Sequence, residues 1–383
     1  MTGSRTVDGA GMGGGGPWLI SSYADARSIL VSADARVPAD IPPPSGASGP
    51  ASALVARGVH LRSLWMWGCD TERRIAYRKA AASALGVDEI DRLGPFLESR
   101  ASALLDAVDG EDRIDLVAGF ARPLVRDALM ELLGIDPPAR DALETQVEAM
   151  AGFIPGCERS GTTRYFALAA IARVLERVWQ SPLPPRAAAS RILHGAVASG
   201  ELSLDEALAQ ATLLLFGNSY TTLEALAGLL ARLADEPAIW EAARSGAVPV
   251  ASLVEEGLRL GPPAHLVLLR DAARDIECSA GTIPRGARVV LPLNRLNSDP
   301  TRFANAEAFE PNRAKATHLA FGAGRHMCVG LHLARAVIRT GVDALLRRLP
   351  EWPADTAVSM APGILGGTNV VSLFLPAKAL RPC

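Results

Sequence analysis

Residues 321–330 read FGAGRHMCVG, and no other ten residues of the chain say as much. Three glycines, Gly322, Gly324 and Gly330, surround one cysteine, so the backbone there can run close against a bulky flat ligand. Cys328 is read as opening the helix that follows. A thiol at a helix start faces free amide N–H groups, which lower its pKa and hold it as an anion for a metal. On these residues alone two other readings stand beside that one. The cysteine can be a buried structural thiol in a Gly-rich turn, or His326, Cys328 and His332 can form a metal site, although their spacing brings only three ligands.

Outward from this stretch, the segment LHLARAVIRTGVDALLRRL (331–349) has helical spacing. Upstream, the short β-type runs HLVLLR (265–270) and ARVVLPL (287–293) alternate with turn signals such as AGTIPRG, which predicts a small sheet. From about Tyr23 to Gly246 apolar residues recur at three- and four-residue spacing, and helices are expected over 73–85, 90–107, 118–134, 163–180 and 204–235. Loops are expected at PPP (42–44), PG (155–156) and SPLPP (181–185). The last thirty residues read as strand and turn. The fold class is therefore mainly α with a small β part.

The chain has 383 residues, 49% apolar, and a formal charge of -2, enough to bury a large core and too near neutrality for a nucleic-acid partner. Residues 1–16 form a Gly-rich tail with little to bury, and 17–383 are expected as one domain, because no interior linker or repeat marks a boundary. No apolar stretch approaches about 20 continuous residues and no charged segment precedes an apolar start, so no membrane span and a cytoplasmic location are expected. The five cysteines, Cys69, Cys157, Cys278, Cys328 and Cys383, are scattered and include no C-x-x-C pair, which argues against a disulfide framework. In EEGLRL, Glu256 and Arg259 share a helix face, either as a bidentate pair away from water or as a solvated surface bridge.

Phe321, Gly324, Cys328 and Gly330 meet the pattern Phe-x-x-Gly-x-x-x-Cys-x-Gly. That is the haem-binding signature of cytochromes P450, which the chain resembles over nearly its whole length beyond the tail. The resemblance implies the triangular α-rich P450 prism, with haem b between the central helix (about 204–235) and the helix after Cys328. Cys328 is then the axial ligand of the iron, with Phe321, Gly322 and Gly330 around the cofactor. Thiolate ligation pushes electron density onto iron and favours O–O cleavage. By the same resemblance Arg78, Arg270 and His326 hold the haem propionates, and Arg74 stands where the family carries a histidine. Arg313, in FEPNR, joins Glu256 and Arg259 as a structural triad.

The central helix, LLLFGNSYTTLEA, resembles the family's Ala-Gly-x-acid-Thr, with Thr221 as the oxygen-ordering threonine and small residues Gly217 and Asn218 leaving space. Tyr220 occupies the acid's place, and a phenol of pKa ~10 is a poor proton relay at neutral pH. Phe216, Gly217, Leu266, Val267, Ile364 and Leu365 correspond to substrate-pocket positions. His60 and His265 either approach that pocket or are ordinary surface histidines. The implied activity is monooxygenation of an organic small molecule, in secondary metabolism by family habit. Electrons would come from a ferredoxin and its reductase, and Arg325, Arg335 and Arg339 either receive an acidic partner or are plain surface. Two other classes remain open at this point: an atypical P450 (peroxygenase, or ring-forming or coupling oxidase), favoured by Tyr220, and a non-catalytic haem-thiolate binding or sensing protein.

Overall fold

The computed structural model describes residues 16–38, 50–69, 72–153, 161–261, 267–314, 317–362 and 368–381. The glycine tail to residue 15, the loops at 42–44 and 155–156, Cys157, His265, Leu266, Ile364, Leu365 and Cys383 lie outside the described residues.

Local sequence sets most of the helix boundaries. β1 (Trp18–Leu19) precedes α1 (Tyr23–Val31), which starts where the Ser22 side chain accepts the Asp25 N–H, and β2 (Ala35–Arg36) follows. α2 (Pro50–Ser63), α3 (Arg73–Ala84) and α4 (Val87–Val108) lead to β3 (Arg113–Asp115). The helix expected over 118–134 begins as a π-helical turn, Val117–Ala121, before settling into α5 (Arg122–Leu132). α6 (Pro137–Ala149), α7 (Thr163–Trp179) and α8 (Ala188–Ala198) surround the central segment.

That segment is two helices and not the single one expected, α9 (Leu204–Ser219) and α10 (Thr221–Asp235), interrupted at Tyr220. A capping box between Ser203 and Glu206 starts α9. At its other end the hydroxyls of Ser219 and Thr221 donate back to the carbonyls of Leu215 and Gly217, both at 2.6 Å, and the Asn218 amide donates to Val125 O at 3.0 Å. Such back-bonding competes with the helical ladder and bends it. Ala207 through Phe216 are all buried, as expected of a helix apolar on every side. Residues 204–235 are long and apolar enough to pass a membrane-span test, yet most of that surface is spent on neighbouring elements of the fold.

α11 (Pro237–Arg244) and α12 (Val250–Leu260) precede β4 (Val267–Ala272), β5 (Ile276–Cys278), β6 (Gly281–Ile283) and β7 (Arg288–Pro292). α13 (Leu293–Leu296), α14 (Leu331–Arg348), β8 (Ala357–Pro362) and β9 (Thr368–Pro376) complete the chain. The sheets run β1-β7-β4-β2, β3-β9-β8 and β5-β6, with β1 parallel to β7 (Trp18 opposite Val289) and β4 antiparallel to β7 (Val267 opposite Pro292). The mainly α class with a small β part is what the sequence predicted. One large core lies among the helices, and a second, including Ile20, Ile29, Val289, Leu291 and Phe303, lies under the four-stranded sheet.

Candidate functional site

The cysteine loop is held by its own backbone. Cys328 N–H donates to Phe321 O at 2.9 Å, closing the segment on itself, while Gly322 N–H donates to Leu319 O at 2.8 Å and Met327 N–H to Gly324 O at 3.1 Å. Gly324 has φ +69, and a Cβ added there would lie 2.6 Å from Leu30 O at the end of α1, so this glycine is required by both dihedral and space. The guanidinium of Arg335 stacks over Phe321, 4.5 Å from the ring centroid, and grips Glu255 in a bidentate pair at 2.6 and 2.8 Å. That pair, with His318, holds the Glu255 carboxyl down at about 2. Arg335 is therefore paired within the fold while 35% of its side-chain surface stays exposed.

Cys328 does not open the helix. Gly330 is the N-cap and α14 begins at Leu331, so the sulfur lies before the helix and not among its free amides. Its side chain is exposed, yet enough protein surrounds the sulfur for desolvation to act on it. Burial there pushes the thiol pKa up, against the Gly330 N–H and the charges of Arg78 and Arg335, which pull it down. The expectation that helix-end amides alone would lower it is thus corrected: desolvation is the larger effect.

α3 is pinned to the same loop. Arg74, buried, donates to Arg325 O, and Arg78 donates to Met327 O at 2.8 Å. Arg270, also buried, is on β4 and donates to Leu269 O at 2.7 Å. His326 is half-buried in the turn Gly324–His326. Arg325 and Met327 are exposed beside the thiol.

Glu256, Arg259 and Arg313 form one network. Arg259, 1% exposed, grips Glu256 at 2.7 and 2.8 Å and donates to the carbonyls of Asn297, Ala306 and Ala308 at 2.8, 2.6 and 3.0 Å. Arg313 reaches Glu256 at 3.2 Å, and Glu310 N–H donates to the same carboxylate at 2.9 Å. These bonds tie α12 to the loops between α13 and the cysteine segment, and they hold the Glu256 carboxyl below its usual range.

On the central helices the Tyr220 phenol donates to Glu148 O, the penultimate residue of α6, at 3.0 Å. Tyr220, Asn218 and Ser219 line a cavity of about 30 Å³ with Arg122, Arg126 and Glu144. Gly217, Thr221, Glu224 and Gly228 keep accessible surface while most of α9 and α10 is buried, and at i, i+4, i+7 and i+11 they form one stripe. A Cβ added at Gly217 or Gly228 would meet no atom within 4 Å. Phe216, only 7% exposed, packs with Trp65, Trp67 and Phe153, ring centroids 5.1 to 6.3 Å apart, so its contacts are those of a core aromatic. Val267 is placed by its backbone at the start of β4. His60 sits on exposed α2 surface, 3.4 Å from Asp205 at the first turn of α9, and not in a pocket.

Glu224 escaped the sequence reading. Its carboxylate accepts from Asn369 of β9, its other oxygen, Oε2, is buried with no hydrogen-bond partner among the described residues, and desolvation raises its pKa to about 7. A lone acid within TTLEALAGLLA was the available signal.

These residues suit a flat, anionic, iron-bearing group. They offer one accessible thiol, guanidiniums on the loop that carries it, and room beside Gly217. Among the described residues no three His, Cys, Asp or Glu side chains converge on a metal-sized site, so His326, Cys328 and His332 do not make a zinc centre.

A family model described as Cytochrome P450 matches residues 250–355. Cytochrome P450 CYP105Q4 of Mycobacterium marinum is 30% identical over 354 residues, covering 91% of this chain and 84% of the relative. The 20-oxo-5-O-mycaminosyltylactone 23-monooxygenase of Streptomyces fradiae is 31% identical over 351 residues, covering 89% and 79%. Among solved structures, P450BioI in complex with an acyl carrier protein ligated to hexadec-9Z-enoic acid superposes with a TM-score of 0.83 at 23% identity, over 95% of this chain and 93% of that one, a likeness of fold.

Proposed function

The chain belongs to the cytochrome P450 family, and from that footing we propose that it is a haem-thiolate monooxygenase that oxidises an organic small molecule of secondary metabolism. The observation that carries this reading is the accessible thiol of Cys328 in a loop clamped by Arg74 and Arg78. Haem b, when bound, supplies activation of O2, and its cationic iron favours the deprotonated form of the thiol that burial alone disfavours.

The chain's own residues then divide the work. Cys328 would hold the haem iron through its thiolate, in the segment that also contains Phe321, Gly322 and Gly330. Arg74, Arg78, Arg270 and His326 neutralise the propionates. Glu256, Arg259 and Arg313 keep the cysteine loop in register. Thr221 orders dioxygen and water along the open stripe, where Gly217 leaves room. Substrate is oriented by apolar side chains, with Leu266, Val267, Ile364 and Leu365 as the proposed wall.

Electrons come from a ferredoxin served by its reductase, docking near the exposed Arg325 and Met327 with Arg339 farther along α14. A cytoplasmic location accords with the use of the long apolar segment 204–235 inside the core. A second reading, an atypical P450 driven by peroxide or coupling two substrate positions, is favoured by Tyr220, whose phenol is turned onto α6.

The deciding experiment compares carbon-monoxide spectra of the reduced, haem-supplied protein and its Cys328→His variant. A thiolate-type red-shifted Soret band in the wild type, lost in the variant, is expected. A band unchanged by the substitution, or no bound haem at all, overturns the reading. Product formed with ferredoxin and O2, rather than with peroxide alone, then separates the two kinds of turnover.

A further inference from the structure

The proton supply of the open stripe has no acid at Tyr220, whose hydroxyl is engaged with Glu148 O on α6. One carboxyl does lie on that stripe. Glu224 follows Thr221 by three residues on the first turn of α10, so the two side chains are neighbours, about 5–6 Å apart at Cβ. Thr221 Oγ–H is directed back to Gly217 O at 2.6 Å, which leaves the oxygen lone pairs free to accept.

The far side of Glu224 is anchored. Asn369 Nδ2 donates to Oε1, fixing the carboxyl plane from β9, while Oε2 is buried without a partner among the described residues. The other elements packed on α10 are α5, α9, α11, α12, α14 and the π-helical turn, and no charged group from any of them shifts this carboxyl. Burial acts on it almost alone and raises its pKa to about 7. An acid so placed is half protonated at neutral pH, the condition under which a carboxyl both gives and regains a proton readily.

We propose that Glu224 is the proton-holding residue of this site, passing a proton to the neighbouring Thr221 hydroxyl in the role that Tyr220 leaves vacant. The inference rests on the monooxygenase reading above. That reaction takes substrate R–H, O2, two electrons and two protons to R–OH and water, and Glu224 furnishes one of the two protons. Its carboxyl becomes carboxylate and regains a proton from solvent before the next cycle. Thr221 accepts one proton as it releases another and ends unchanged.

The test uses haem-loaded wild type, Glu224→Gln and Glu224→Asp with a ferredoxin system. Glu224→Gln is expected to lower product formed per electron pair about tenfold and to erase the inflection near pH 7 in that ratio, with Glu224→Asp restoring part of both. Independently of turnover, the protein labelled with ¹³C at glutamate carboxyls should show one resonance titrating near 7 that disappears in Glu224→Gln. Unchanged coupling and pH profile in Glu224→Gln overturn the proposal, as does the absence of that resonance. If Glu224→Gln does not fold, the resonance in the wild type and the profile of Glu224→Asp decide. A wild type with no thiolate-type carbon-monoxide band marks failure of the family chemistry itself, a different result from failure of the relay.

Discussion

Replacing Glu224 by Gln should make the protein more stable, and only at higher pH. The carboxyl is raised from an ordinary 4.5 to about 7, so between those values the folded chain holds a proton that the unfolded chain has lost. Stability is therefore greatest below 4.5, falls by about 1.4 kcal/mol for each pH unit through the window, and levels off above 7. The whole effect is about 3 kcal/mol, of which some 2.5 kcal/mol falls between pH 5 and pH 8. For a chain of 383 residues the entropy of unfolding is about 0.8 kcal/mol per kelvin, which converts this to roughly 3 °C. Gln keeps an acceptor for Asn369 and does not titrate. Scanning calorimetry of both proteins at pH 5 and pH 8 should show the gap in midpoint, variant minus wild type, widening by about 3 °C at the higher pH. A gap that stays constant, or narrows, refutes a buried and elevated carboxyl at this position.

The buried network offers a sharper loss. Arg259→Met removes the bidentate partner of the buried Glu256 carboxylate, leaving it Arg313 and the Glu310 N–H, and takes the side-chain donor from the Asn297 and Ala306 carbonyls; it should cost about 3–5 kcal/mol, read as a fall in midpoint of about 4–6 °C. Adding Glu256→Met should recover part of that loss, because a buried charge that has lost its bidentate partner goes with it; a double variant worse than the single one contradicts the account. Gly324→Ala forces a Cβ against Leu30 O at positive φ, and should cost about 1–3 kcal/mol together with a weakened thiolate-type carbon-monoxide band, both measurable on one preparation. Cys328→His, as above, should abolish that band.

The parts of the molecule legible in sequence are those whose cause is local. The cysteine loop is ten contiguous residues whose glycines and thiol speak for themselves, and α3, α7 and α14 follow from apolar spacing. The interruption at Tyr220 was hidden because it depends on Ser219 and Thr221 hydroxyls turning back on carbonyls, and on Val125 taking the Asn218 amide. β1 and β2 are two residues each and exist only because β7 and β4 lie beside them. Glu224 acquires its character from burial and from Asn369, which lies on another element late in the chain. Phe216 shows the opposite difficulty, since an apolar residue of a pocket wall and one of an aromatic core look alike in sequence. The pairing of Arg335 with Glu255 and its stacking on Phe321 join elements far apart in sequence, so spacing alone does not show them.

The parallel pairing of β1 with β7 also sets a timetable. Val289 and Val290 are made about 270 residues after their partners Trp18 and Leu19. At ~5–20 residues per second the first strand waits tens of seconds for its neighbour. β3 waits similarly for β9. The helices between them can pack as they are made, whereas both larger sheets, and the cysteine loop that leans on α1, close only after their later-made partners exist. The order of synthesis therefore leaves the cysteine loop without its final setting until segments far apart in the sequence have met.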